Sequence, residues 1–276
     1  MKTRPLIALL TDFGNSDAYV GIMKGVICSI CESVQLVDIS HEVQPGNVLQ
    51  AAYLLESAVK YFPPGTVFLV VVDPGVGSQR KAIAAEIAGR FFIGPDNGLF
   101  DFANGSTTEQ VIILEEQCVS GMKISSTFHG RDIFAPAAAK LASGIPLIQL
   151  GKSIPNIKPL SRPCVSFLNN QISCLIVHID HFGNVITNLR KEDIISSDTF
   201  LLSESIKGSS GKASQHLVAN GCSFPWVRTF SDVPKGSPLA YWGSTNHLEF
   251  AINRNRADKL LSVNVNDSIT IEIRKN

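Results

Sequence analysis

Two hydrophobic periods alternate over the first 72 residues, and this alternation constrains the fold more than any other feature of the chain. Short β-rich runs, PLIALL (5–10), VQLVDI (34–39) and VFLVVV (67–72), are separated by DAYVGIMKGVICSI (17–30) and NVLQAAYLLESAVKYF (47–62), whose apolar residues recur at helical spacing. Strand, helix, strand in that order predicts parallel strands covered by helices. In such sheets ligands sit beyond the carboxyl ends of the strands. The polar residues just past those ends are therefore the first candidates: Thr11 and Asp12, Ser40 and His41, and Asp73. AIAAEI, RFFIG and EQVIIL read as further strands, and RDIFAPAAAKLASG as a helix closed by Gly144.

The texture changes past IPNIKPLSRP (154–163), which has three prolines and no apolar period and reads as a linker. SCLIVHI, FLLSESI, PLAYWG, HLEFAI and DSITIEIRK then alternate apolar and polar residues between turn-forming residues, with one short helical stretch, NRADKLL. KGSSGKASQ reads as a loop. The expected fold is α/β: an α/β domain over residues 1–158 with a mainly parallel sheet, then a smaller antiparallel, barrel-like β domain over 159–276.

Charge narrows the partners. Lys plus Arg and Asp plus Glu both number 24, so no basic field exists to hold nucleic acid or an anionic membrane. MKTRPLIALL runs straight into TDFGNSDAY, without a cleavage site or the about 20 apolar residues that a span needs. A soluble cytoplasmic protein with a small-molecule substrate is expected. The six cysteines are scattered, and the Cys28–Cys31 pair falls inside a helical run with no second pair to complete a metal site.

No phosphate loop, dinucleotide fingerprint, nucleophile elbow or HExxH is present. What remains are separated polar clusters: TDFGNSDAY, DPGVGSQR, GPDNGLF, FHGRD and DHFGNVITN. Each has a bland reading. Asp12 could cap the next helix, Asp73 and Asp96 could hold turns, and Arg131 with Asp132 could be a surface pair. Against this stands the placement of several of them at one edge of one sheet.

TDFG, VVDPGVGSxR, GPDNGLF, FHGRDIFAP and DxFGNVITN, in this order and with an Asn-Arg near the end, resemble the S-adenosylmethionine hydroxide adenosyltransferases, relatives of the fluorinases and chlorinases. The resemblance runs from about Leu9 to about Ala257. It implies hydrolysis of S-adenosylmethionine to adenosine and L-methionine, no separate cofactor or metal, and a homotrimer with sites at subunit interfaces. It also implies catalytic roles for Asp73, Arg80 and His129, which together would hold and aim a water at the ribose C5′. Asp12 matches the acid that accepts both ribose hydroxyls; Asp17, Tyr19, Asp180 and Ser244 match positions around the methionine group. Asn184, Asn253 and Arg254 match adenine contacts, and Phe182 or Trp242 offers a stacking face.

The halogenating branch has tyrosines at the positions of Asp73 and His129, a small hydroxyl residue at Gly130 and a threonine at Val76. A carboxylate at 73 repels a halide, so hydrolysis is expected over halogenation. The DxFGN motif is one residue shorter here than in the fluorinases, and Thr245 stands where they carry arginine. Two other readings stay open: a metal-dependent hydrolase of a nucleoside-type substrate using Asp12, Asp73, His129 and Asp180, and a non-catalytic sensor of S-adenosylmethionine.

Overall fold

In the computed structural model, which describes residues 4–102, 108–121, 123–196 and 215–275, the chain forms two compact units, Met1–Ser161 and Arg162–Asn276. The first begins as the alternation predicts: β1 (Leu6–Thr11), α1 (Tyr19–Ile30), β2 (Gln35–Ser40), α2 (Val48–Val59) and β3 (Val67–Val71). It continues with β4 (Ala82–Ile87), β5 (Arg90–Pro95), β6 (Thr108–Leu114), α3 (Glu116–Val119), α4 (Ala135–Ala142) and β7 (Gly151–Ser153). The seven strands lie in the order β2-β1-β3-β5-β4-β6-β7. β2, β1, β3 and β5 run parallel, while β4 is antiparallel to both its neighbours and β7 to β6.

The sheet is mostly parallel, and its inner strands β1, β3 and β4 are buried on both faces. Ile7 and Leu9 of β1 pack with Met23 and Ile27 of α1 and with Ala138 of α4. The intervening Ala8 and Leu10 pack with Ala51 and Leu55 of α2. Strict alternation of side chains across the pleat thus feeds two separate cores from one strand. All five residues of β3 are buried. β4 and β5 form a hairpin whose two turn residues, Ala88 and Gly89, have φ of 49° and 68°, as a type I′ turn requires. Ala-Gly is a weaker turn signal than Asn-Gly, so the sequence shows two strands there but not their antiparallel pairing.

The expected linker is not free. Ile157 is buried in the core to which α2 also contributes, the amide of Ile154 donates to the Val111 carbonyl, and the amide of Lys158 donates to Asp96 Oδ1 at 2.8 Å. Gly98, at φ +102°, leaves room for Leu160, whose Cα a Cβ there would meet at 2.8 Å. The prolines stop regular structure, but apolar burial still pins the segment to the first unit.

In the second unit β8 (Ser166–Leu168), β9 (Gln171–Ile179), β10 (Val185–Arg190), β11 (Gln215–Ala219), β12 (Cys222–Pro225), β13 (Pro238–Trp242), β14 (His247–Ile252) and β15 (Ser268–Lys275) form an antiparallel sheet. Its order is β12-β11-β15-β9-β10-β14-β13, with β8 on β9. Trp226, just past β12, bridges to Ala240 of β13, so the sheet comes close to closing as a barrel around Phe224 and Phe250. The expected FLLSESI strand and KGSSGKAS, the first eight residues of the expected loop, lie outside the described residues; Gln215 opens β11. NRADKLL contains the short helix Ala257–Leu261. Among the described residues no helix is long and apolar enough to cross a membrane.

Candidate active site

Polar residues that follow β1 and β3 meet on one cavity of about 200 Å³ in the first unit, whose lining includes Asp12, Phe13, Gly46, Asp73, Phe128 and His129. Asp73 emerges from the buried end of β3, and a tight turn brings the chain back to it: Val76 N–H donates to the Asp73 carbonyl and Ser78 Oγ to the Gly75 carbonyl. The turn returns Arg80 onto the Asp73 carboxylate, with Nε 2.9 and 3.0 Å from the two oxygens and Nη2 2.5 Å from Oδ2. The bland reading of Asp73 as a turn residue holds only for its backbone. Asn97 of GPDNGLF braces the same strand end by donating to the Val72 carbonyl at 2.9 Å, and Asp96 is occupied by the Lys158 amide.

The same Arg80 Nη2 lies 2.6 Å from His129 Nδ1. A guanidinium has donors and no acceptor, so Nδ1 accepts and a neutral ring carries its proton on Nε2. Burial, and then the positive charge of Arg80, hold the His129 pKa below the usual imidazole value, while Asp73 opposes them. The phenyl ring of Phe134 backs the guanidinium at 5.2 Å.

His129 stands at the mouth of a π-helical turn, Gly130–Phe134, that runs into α4. Asp132, which could have been half of a mere surface pair, is buried and accepts from Arg131 Nε at 2.6 Å and from the Ser125 amide at 2.7 Å. It therefore clamps the loop that carries Phe128 and His129. The guanidinium of Arg131 lies over Phe128, 5.2 Å from the ring centre.

Asp12 does not cap α1: the cap position is Ala18, with no side-chain bond. Its Oδ2 instead accepts from the Gly46 amide at 2.7 Å. Burial raises the Asp12 pKa, the Gly46 bond opposes the rise, and the charge of Asp73 adds to it. Tyr19 packs on Phe13 and Phe128 with ring centres 5.9 and 5.3 Å away, forming an aromatic rim. Asp17 is exposed in the loop before α1.

Except for Trp242, the last residue of β13, the candidates of the second unit occupy its turns. Asp180 accepts from the amide and the side-chain Nδ2 of Asn184 at 2.9 and 2.8 Å, closing the β9–β10 turn around Phe182, which is 72% exposed. Asn253 spends its side-chain amide on the Phe230 and Val233 carbonyls, and Arg254 follows it at φ +64°. Ser244 is exposed in the β13–β14 turn. Trp242 is not a free stacking face: it packs edge-on against Trp226, 5.5 Å away, beside the barrel core.

Sequence reasoning missed the wall of the cavity. Phe13 and Phe128 lie inside the motifs TDFG and FHGRD, and Gly46 inside a Pro-Gly turn, so each had a local signal; their convergence had none. Among the described residues no three His, Cys, Asp or Glu side chains group as a metal site.

Models of the N-terminal and C-terminal domains of the SAM hydroxide adenosyltransferases match residues 7–151 and 174–270. A (R)-S-adenosyl-L-methionine hydrolase of Thermus thermophilus is 36% identical over 93% of this chain and 95% of its own, and one of Methanocaldococcus jannaschii is 34% identical over 96% and 95%. A fluorinase of Actinoplanes is more distant, at 28% over 98% of each chain. The crystal structure of an uncharacterized conserved protein from Thermotoga maritima is similar at a TM-score of 0.84 and 36% identity, covering 96% of this chain and 99% of the other.

Proposed function

This chain belongs to the SAM hydroxide adenosyltransferase family, and on that premise we propose that it hydrolyses S-adenosyl-L-methionine to adenosine and L-methionine. The observation that carries the reading is Arg80 bonded at once to Asp73 and His129, on the cavity that Asp12 also lines.

Methionine leaves a sulfonium as a neutral thioether, so the leaving group needs no acid. The work is to supply and aim an oxygen. His129, neutral and with Nδ1 held by Arg80, has its Nε2–H left to donate to that oxygen. The Asp73 carboxylate is then the group that accepts a proton from water, using a lone pair that Arg80 leaves over. The new C5′–O bond forms as the C5′–S bond breaks, the electron pair of the broken bond stays on sulfur, and the proton passes through Asp73 to solvent. Hydroxide meeting a sulfonium cancels charge, which a water-poor cavity favours. A halide in place of water would face the Asp73 carboxylate, and a metal would compete with Arg80 for the same oxygens.

Asp12 is assigned to the ribose hydroxyls, since each carboxylate oxygen can take one O–H donor. Asp17, Tyr19, Asp180 and Ser244 are assigned to the methionine moiety, and Asn184, Asn253 and Arg254 to adenine, on family resemblance. Phe182, exposed at the β9–β10 turn, is assigned as a stacking face for the substrate and a homotrimer as the assembly on the same resemblance, and a cytoplasmic location is kept as the sequence leads one to expect.

The test is chromatography of purified protein incubated with S-adenosylmethionine, with and without chloride and chelator. Adenosine and methionine in equal amounts, unaffected by either addition, are expected; 5′-chloroadenosine, or activity that chelation abolishes and a metal restores, defeats the reading. Asp73→Asn is expected to slow turnover by about a hundred- to ten-thousandfold with little change in KM.

A further inference from the structure

Behind Asp12 lies a polar chain that the mechanism leaves unused. Thr11, the last residue of β1, is fully buried, and its Oγ1 is 2.8 Å from Nδ1 of the buried His41. On the other side of the ring Nε2 lies 3.1 Å from Asp38 Oδ1, though off the axis of a straight hydrogen bond. Asp38 Oδ2 is bonded to Lys24 Nζ at 2.6 Å. Burial would raise the Asp38 pKa, but Lys24 and His41 outweigh it and hold the carboxyl below its usual value.

An ionised carboxylate can only accept, so the imidazole turns its N–H toward Asp38 and leaves Nδ1 as an acceptor. Thr11 must then donate to Nδ1, and the lone pairs of its hydroxyl are free for the Phe13 amide, 3.3 Å away. The backbone closes the same link, because Gly14 N–H donates to the His41 carbonyl at 2.8 Å. His41 thus grips Thr11 and Gly14 on either side of Asp12, while Gly46 of the same β2–α2 loop holds the Asp12 carboxylate itself. A Thr–His–Asp set invites a nucleophilic reading, but a fully buried Thr11 Oγ1 cannot reach a substrate.

We infer that Thr11, His41 and Asp38 are positioning residues that set the Asp12 carboxylate for the ribose hydroxyls, an inference resting on the role assigned to Asp12 above. They act through Asp12 and touch no reacting atom.

Steady-state kinetics of Thr11→Val, Thr11→Ser, Asp38→Ala and Asp12→Asn test this, on S-adenosylmethionine and on its 2′,3′-dideoxy analogue. Thr11→Val keeps the shape of the side chain and loses the hydroxyl. Its KM for S-adenosylmethionine is expected to rise about tenfold, the equivalent of one modest interaction, with kcat changed much less. Thr11→Ser restores most of that loss. On the dideoxy analogue the gap between Thr11→Val and the unaltered protein closes to about twofold or less, and Thr11→Val adds little to Asp12→Asn, because coupled residues are not additive. Asp38, whose side chain is 42% exposed, gives a smaller loss of the same kind and keeps the test available if Thr11→Val does not fold. Equal losses on both substrates, or no loss, overturn the inference. An Asp12→Asn variant with unchanged KM overturns instead the ribose assignment beneath it.

Discussion

Arg80 is the residue on which the site turns. Its guanidinium holds both oxygens of Asp73 and, through Nη2, Nδ1 of His129. A lysine could not do this, because a single ammonium lacks the planar fork. The pH dependence follows with a definite sign. The His129 pKa is lowered by burial first and by Arg80 second, so the neutral ring survives to lower pH than a free imidazole. Activity should fall only as pH drops through that depressed value. In Arg80→Gln the opposing charge is gone, and the acid limb of kcat/KM is expected to move upward in pH alongside a lower plateau. A limb that stays put or moves down would show that His129 is not the titrating group. At this scale the sequence was legible in residue types: an acid past an apolar strand and an arginine seven positions on. It did not show that the arginine also bonds His129, 49 positions away.

At the scale of elements, the site depends on two loops packed against each other. A Cβ at Gly77, which has φ +77°, would lie 2.7 Å from the Ser126 carbonyl oxygen, so the DPGVG turn and the loop leading to His129 touch backbone to backbone. Gly77→Ala forces a left-handed residue and a clash at once, and is expected to cost about 1–3 kcal/mol of stability. Because the shift separates the Asp73 turn from His129, turnover should fall several-fold more than that modest loss of stability implies. Thermal melting and kcat measured on the same preparation check this; full turnover in the variant would show that the loops need not touch. The elements themselves were largely readable, since hydrophobic period separates strand from helix. Their exceptions were not: the antiparallel β4–β5 hairpin uses an Ala-Gly turn, and the helix expected from Arg131 begins with a π-helical turn at Gly130. Gly130 is packed there, for a Cβ would meet Met23 Sδ at 3.1 Å and Phe128 at 3.3 Å.

For the whole molecule, the proposed trimer makes a prediction no single residue can. If copies of the chain complete one another's sites, activity per chain should fall as the protein is diluted through its dissociation range, in step with the loss of trimer seen by sedimentation. Constant specific activity across that transition would assign a complete site to one chain. The amino-acid sequence alone determined the strand and helix order of the first 72 residues, the change from an α/β to a β texture near residue 160 and, through its motifs, the family. Tertiary structure alone decided which polar groups meet: Asp12 with Gly46 rather than with the end of α1, Thr11 with His41, Trp242 with Trp226, and residues 154–160 with the first unit. The reason is range. Hydrophobic periodicity acts between neighbours along the chain and can be read there, whereas a hydrogen bond between residues tens of positions apart exists only once strand order and burial have brought its two ends together.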